Sequence, residues 1–437
     1  MSDTKKLSKI KTGVFSRSLS LAKLGVNAGL KYASTKITNS SMDDFINGQA
    51  VQLVKELGKL KGSAMKAGQL LSVYGEHFLT PEANKILKAL QSDSISVTWP
   101  VIYNQLLQQF DAETLDRLEI NHEPIGSASM GQVYLAVEKS TQKKIALKVQ
   151  YPGVDKAIDS DVAALKSILT ISKILPAELD TTGVFNEIKK MLHQELDYNY
   201  EAEQTVYYAG LINQDPRYKV PNVYTDYSAS KILATEYMEG LRPDHPLVQN
   251  LSQERRNRLA ENFLDLYFKE LFQWNFLQTD PHLGNYKIQL GSDGKDTLVL
   301  LDFGAIKKFD SEFITSYRKM LKGSITKNED LFFEGARLLG FVADSDSEEY
   351  VEKFKNLCYQ VVEPFALDRN TIFDWKQNDL PKRVIKNAFE FRHFDLRTPP
   401  QELIFLDRKT AGVFMFMSAL GAKFNPNKII APYLDSV

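Results

Sequence analysis

Cysteine is almost missing from this chain: Cys358 is the single one in 437 residues. That excludes an internal disulfide framework, and with no metal-ligating neighbours it excludes a cysteine zinc site. A reducing compartment and a plain core role for Cys358 follow. Net charge is nearly missing as well, at −1, so nothing about the chain as a whole argues for nucleic acid, and any basic surface must be local. Long apolar runs are also lacking. The longest uncharged apolar run, Thr410–Ala422, falls short of the roughly 20 residues a membrane-crossing helix needs. No internal repeat or low-complexity tract is visible. What is present is an ordinary mixture, 43% hydrophobic and 25% charged, in a chain long enough for two or three packed layers or lobes.

One basic surface is local. Between Lys5 and Lys36 stand eight basic residues and no acidic one, interleaved with Val14, Phe15, Leu19, Leu21, Leu24, Val26 and Leu30. This composition suits, in order of preference, an amphipathic helix on an anionic membrane, a solvated leader, or a mitochondrial transit peptide. Residues 1–42 are therefore set apart as a leader. Residues 43–118 carry apolar positions at three- and four-residue intervals and predict a helical extension. In residues 119–239, "PIGSASMGQVYLAVEKSTQKKIALKVQ" reads as strand, small-residue turn, strand, polar hairpin and strand. Helical pattern follows from Val154 to about Ile212, and then a strand in "KILATEYMEG". Residues 240–437 read as helical except for "YKIQL" and "TLVLLDF", two strands flanking the turn "GSDGKD".

Several short motifs carry phosphoryl-transfer chemistry. In "GSASMGQV", Gly126 and Gly131 stand where a phosphate-covering hairpin needs close backbone approach. Ser127, Ala128, Ser129 and Met130 form the turn, and Val133 is positioned to pack on adenine; Ala128 replaces the usual middle glycine. "IALK" places Lys148 at the end of a strand as the candidate holder of the α- and β-phosphates. "ATEYM" offers Glu236 to Met238 as a hinge toward adenine. "QTDPHLGN" spaces Asp280 and Asn285 as an orienting or deprotonating aspartate and a metal-binding amide, and "VLLDFG" supplies Asp302 as the second Mg2+ ligand. The bland alternatives are that Asp280 starts a turn with Pro281 and that Asp302 caps a helix. Four elements in the expected order weigh against coincidence.

The same stretches depart from ordinary protein kinases. Gln278 and Thr279 replace the histidine and arginine usually found before the aspartate, so control through a phosphorylated activation loop is not expected. After "DFGAIKKFD" the chain turns almost at once into a helical pattern, leaving no long activation segment for docking a peptide. Upstream, "KAGQ" puts Lys66 and Gln69 one helical turn apart, with Gly68 permitting close approach. In "QELDYNYEAE", a continuous helix would place Asp197 and Glu201 on one face and aim Glu195 elsewhere. Glu201 is then the candidate partner of Lys148.

With "KAGQ", "SASMGQV", "LKVQYPGV", "ELDYNYEAE", "TDPHLGN", "LLDFGA" and "DRKTAGVFMFMSALGAKF" in one order, the chain resembles the UbiB/ADCK family of atypical kinases, especially its coenzyme-Q-supporting members. The resemblance implies an α+β, two-lobed protein-kinase-like fold with the N-terminal helical extension covering the active-site cleft. It assigns Lys66 and Gln69 to that extension, Glu195 and Asp197 to its acidic counterpart, and Glu201 to Lys148. It implies ATP and Mg2+ as cofactors and lipid-stimulated ATPase activity in support of ubiquinone biosynthesis; protein phosphorylation is not implied. Expected partners are a membrane lipid surface, isoprenoid or phenolic quinone precursors and quinone-biosynthesis enzymes, with no nucleic acid. No extended mitochondrial leader precedes the matching region, so a bacterial cytoplasm, peripheral to the membrane, is expected rather than a mitochondrion. Two other functions fit parts of the pattern. His282 completes a D-x-H-x-x-N element like that of small-molecule phosphotransferases, and a nucleotide-gated scaffold for biosynthetic enzymes would use the same pocket without turnover.

Overall fold

The structure, a computed structural model, describes residues 63–74, 97–128, 130–171, 181–368, 370–394 and 401–435. The basic leader, residues 43–62 and 75–96 of the expected extension, and Ser129 lie outside the described residues. Elements run α1 (Ser63–Tyr74), α2 (Trp99–Leu107), β1 (Leu118–Ala128), β2 (Gly131–Glu138), β3 (Lys144–Gln150), α3 (Ile158–Ile171), α4 (Thr182–Glu195) and α5 (Tyr198–Ile212). They continue with β4 (Tyr218–Lys219), β5 (Ile232–Glu236), α6 (Gln253–Phe268), β6 (Phe276–Gln278), β7 (Tyr286–Gln289) and β8 (Thr297–Leu300). After β9 (Ile306–Lys308) come α7 (Ser311–Thr326), α8 (Glu329–Leu338) and, further on, α9 (Gln401–Leu420). Two compact units result. One comprises residues up to Tyr207 together with Pro221–Met238; the other comprises Tyr208–Val220 and the chain from Glu239 onward.

The first unit is built on an antiparallel sheet in the order β1-β2-β3-β5. Side chains alternate across a strand, and in β3 that alternation buries Ile145, Leu147 and Val149 while Lys148 faces the other way. Trp99 of α2 anchors a helix on this sheet, stacking 4.5 Å from His122 and meeting Tyr134 edge-on at 5.2 Å. The helices pack among themselves by spacing: Phe185, Ile188 and Leu192 fall on one face of α4 and are buried. Helix α1 packs against α3 and α4, burying Ala64, Ala67, Leu70 and Leu71. Small residues at 64 and 67 allow that close approach. The Ser63 hydroxyl donates to Asp161 Oδ2 at 2.5 Å.

The second unit is mainly helical. Ser252 caps α6 by accepting the Arg255 N–H, and the helix buries Phe263 against Phe416 of α9 and Tyr286 of β7, at 3.8 and 4.9 Å between ring centroids. Strands β7 and β8 form the expected hairpin, with Tyr286 opposite Leu300, and β4 joins β8 in parallel. The pair β6–β9, which sets Gln278 opposite Ile306, occupies a stretch whose pattern reads as helix. Three-residue strands are too short to show a period. Helices α7 and α8 bury Met320, Phe332, Ala336, Leu339 and Val342 in a cluster that Cys358 also borders. Burial pushes the Cys358 thiol up to about 12, so it stays a neutral packing group.

Phe332 is fully buried in that cluster. Phe332→Ala is expected to lower stability by about 3–5 kcal/mol, read as a shift of the urea-unfolding midpoint with unchanged slope.

Candidate nucleotide-handling site

Strand register gathers the first set of candidate residues. Gly126 lies opposite Val133, Val133 opposite Lys148, and Lys148 opposite Leu233. Directly opposed residues share a face of the sheet, so Lys148 emerges beside the hairpin that Ser127, Ala128 and Gly131 close. Met130 is buried, and its carbonyl accepts the Tyr151 N–H at 3.0 Å, tying the turn to the end of β3. At Gly131 a Cβ would stand 2.5 Å from the Val149 carbonyl oxygen and 3.0 Å from the Tyr198 hydroxyl. The turn passes too close to the sheet for a side chain there.

Lys148 Nζ donates to both carboxylate oxygens of Glu201 at 2.8 Å and lies 5.2 Å from the centroid of the Tyr198 ring. Glu201 is only 2% exposed, which makes the ammonium its necessary counter-charge. Lys66 Nζ stands 3.0 Å from Glu195 Oε2, and Gln69 lies one turn along the same helix. The continuous helix expected through the acidic segment is corrected. Helix α4 ends at Glu195 and α5 begins at Tyr198. Asp197 in the break caps α5, accepting the Tyr200 N–H on Oδ1 at 3.0 Å and the Glu201 N–H on its carbonyl at 2.9 Å, one helical turn before Glu201. A helix N-terminus offers unpaired N–H groups, and an aspartate satisfies them well. At the hinge, the Glu236 and Tyr237 N–H groups donate to the Asn222 and Lys144 carbonyls. The Glu236 carboxylate accepts from Asn222 Nδ2 at 2.7 Å, and Met238 is buried.

The second unit gathers the rest. Leu301 N–H donates to the Asn285 carbonyl at 3.0 Å, which brings Asn285 and Asp302 to the same end of the β7–β8 hairpin. Asn285 Nδ2 donates to the Asp280 carbonyl at 3.0 Å, and Asp302 Oδ1 accepts the Gly304 N–H at 3.0 Å. Gln278, a departure from the kinase pattern, is buried and donates from Nε2 to the carbonyls of Asp280 at 2.9 Å and Asp302 at 3.3 Å. Thr279, the other departure, bonds the Ala305 carbonyl through both N–H and hydroxyl. His282 is exposed and accepts the Gly284 N–H on Nδ1, capping a short turn. Arg408, to which the motifs assign no role, meets Asp280 Oδ1 at 2.5 Å. Its partner lies 128 residues away along the chain, so no local spacing could reveal the pair.

Among the described residues no group of three or more His, Cys, Asp or Glu is placed to hold a metal. Asn285 and Asp302 nevertheless fit Mg2+, a hard cation that takes oxygen ligands and is commonly held by one or two protein groups plus substrate phosphates and water.

A model of the ABC1 atypical kinase-like domain matches residues 89–334, more than half of the chain. The chain belongs to this family. The mitochondrial atypical kinase COQ8 of Saccharomyces cerevisiae is 28% identical over 436 residues, covering 98% of this chain and 86% of the relative. The mitochondrial atypical kinase COQ8B of Danio rerio is 31% identical over 386 residues, covering 86% of this chain and 59% of the relative. A solved structure of Rv3197 from Mycobacterium tuberculosis, in complex with erythromycin, superposes with a TM-score of 0.61 at 26% identity, covering 91% of this chain and 97% of that one. This ABC1 protein is thus an α+β, kinase-like member of the phosphotransferase class, and a kinase-like fold implies ATP binding.

The expected bacterial cytoplasm is corrected by the same relatives. Those from budding and fission yeast, zebrafish, rat and Caenorhabditis elegans are mitochondrial proteins by name. The eight basic residues between Lys5 and Lys36 had ranked as membrane contact before transit peptide, and composition alone does not separate the two.

In this ABC1 kinase the Lys148–Glu201 pair sets a stability test. Lys148→Met leaves the buried Glu201 carboxylate without its cation and is expected to cost about 3–5 kcal/mol. Adding Glu201→Gln should recover most of that loss, as a double-mutant cycle by chemical denaturation would measure.

Proposed function

We propose that this ABC1 kinase is a Mg2+-dependent ATP-hydrolysing enzyme that works at a mitochondrial membrane surface in support of ubiquinone biosynthesis, on or beside isoprenoid or phenolic quinone precursors. The observation that carries the reading is the spacing and bonding of Asp280, Asn285 and Asp302 around Gln278, joined to a Lys148–Glu201 pair of the kinase type. Gly126, Ser127, Ala128, Ser129, Met130 and Gly131 line the phosphates with backbone, Val133 packs on adenine, and Glu236 to Met238 offer backbone groups at its edge. Ser129 lies outside the described residues. Lys148 orients the α- and β-phosphates, and Glu201 holds Lys148 in place. Asn285 and Asp302 would hold Mg2+, which when bound neutralises phosphate charge.

Asp280 orients the attacking oxygen. The Arg408 guanidinium already engages its carboxylate and competes for the electron pair a general base would use. Positioning is the larger demand in phosphoryl transfer, whose transition state needs little proton removal early on. Lys66, tied to Glu195, and Gln69, with Asp197 at the head of α5, restrict access, which favours water or a small acceptor over a protein hydroxyl. Among the described residues no helix is long and apolar enough to cross a membrane; the basic segment between Lys5 and Lys36 is the proposed lipid contact. The small-molecule phosphotransferase reading is weaker, because His282 serves its own turn.

Purified wild type and Asp302→Asn would be compared for Mg2+-dependent ATP hydrolysis, with and without anionic liposomes and a phenolic quinone-precursor mimic. Lipid-stimulated turnover is expected in wild type, with a fall on the order of 100-fold in the variant, the scale of losing one charge-stabilising group. Nucleotide binding without turnover in wild type would overturn the enzyme reading in favour of a nucleotide-gated scaffold.

A further inference from the structure

Gln278 stands where an ordinary protein kinase carries histidine, and its surroundings explain how an amide serves there. Its Nε2 donates to the backbone carbonyls of both Asp280 and Asp302, while its Oε1 accepts from Lys409 Nζ at 3.4 Å and from the Tyr286 hydroxyl at 3.3 Å. A flipped amide would set oxygen against two carbonyls and NH2 against an ammonium, so the donors on the far side dictate which end faces the loop. Burial and the nearby carboxylates hold the Tyr286 phenol well above its ordinary range, which keeps it a donor.

Lys409 comes from α9, beyond the 89–334 match, and is 2% exposed. Its counter-charge is Glu270 Oε2 at 3.1 Å. Glu270 is 1% exposed and also accepts from the Tyr208 hydroxyl. It sits on the π-helical turn Lys269–Gln273, an irregularity that re-aims side chains and is frequent at functional sites. A buried ion pair adds little net stability compared with apolar side chains of equal size, so its contribution is orientation. The same face of α9 is docked closely on the loop. A Cβ at Gly412 would overlap Pro281 Cβ and Cγ, and Arg408, one turn earlier, reaches Asp280.

We propose that Lys409 and Gln278 are positioning residues for phosphoryl transfer: α9 and Glu270 hold Lys409, Lys409 orients the Gln278 amide, and that amide sets the backbone of Asp280 and Asp302. The catalytic part of this proposal rests on the ATPase reading; the positioning of the loop does not. The test uses the full chain carrying Glu270→Gln with Lys409→Met, which removes the pair without stranding a charge. Stability by denaturation, hydrogen exchange across residues 278–285 and 302–305, and kcat and KM for ATP would be measured.

The expected result is near-wild-type stability, faster exchange confined to those segments, kcat lowered about 10- to 100-fold, the range for removing supporting contacts around a site, and KM changed little. Wild-type exchange in both segments, or faster exchange with wild-type kcat, would overturn the proposal. Should wild type itself fail to hydrolyse ATP, the ATPase reading falls and, with it, the catalytic part; exchange then decides the positioning alone. If the double variant does not fold, Gln278→Leu, which leaves the Glu270–Lys409 pair in place, is read by the same outcomes.

Discussion

A carboxylate removed from water is costly unless a cation meets it, and each unit of this chain is organised around one such requirement. In the first unit the buried Glu201 is met by Lys148, and that pair ties α5 to β3. Tyr198 opens the same helix, lends its ring to the Lys148 ammonium and sets its hydroxyl against Gly131. One helical turn therefore touches both Lys148 and the base of the glycine hairpin. In the second unit the buried Glu270 is met by Lys409, and through Gln278 that pair reaches the backbone of Asp280 and Asp302. The two pairs act by different routes, one holding a side chain and the other, through Gln278, reaching main-chain geometry.

The departures from ordinary kinases take on physical meaning in this arrangement. A histidine before the aspartate and an arginine answering to a phosphorylated loop are replaced by Gln278 and Thr279, and both replacements are satisfied locally. Thr279 closes on Ala305 with two hydrogen bonds, while Gln278 spans two carbonyls. The positive charge that would have answered a phosphate comes instead from Arg408 and goes directly to Asp280. The path from Asp302 through β9 into α7 is short, with α7 beginning at Ser311. The loop is held by internal contacts.

Much of this was legible in the residues. "IALK" reads as a strand carrying Lys148, and β3 spans Lys144–Gln150. Glu201 was marked as the partner of Lys148 from its place in the acidic segment, and the two meet at 2.8 Å. The short strands Phe276–Gln278 and Ile306–Lys308 were not legible, because three residues show no period and their pairing is decided across the sheet. The helix break at Asp197 was also missed: the acidic run scores as helical, and only the cap to Tyr200 N–H reveals the interruption.

By itself the sequence determined the chemistry on offer: an ordered set of glycines, lysine, aspartates and asparagine of phosphotransfer type, one thiol without a partner, and a basic leader without a membrane-crossing run. Those are properties of residue type and short spacing, and local patterns carry them. The tertiary structure alone decided which charges meet. Arg408 with Asp280, Lys409 with Glu270 and Lys66 with Glu195 each join residues more than a hundred positions apart. Distances of that kind follow from how helices and strands pack, and desolvation then makes each pairing obligatory once the partners are buried together.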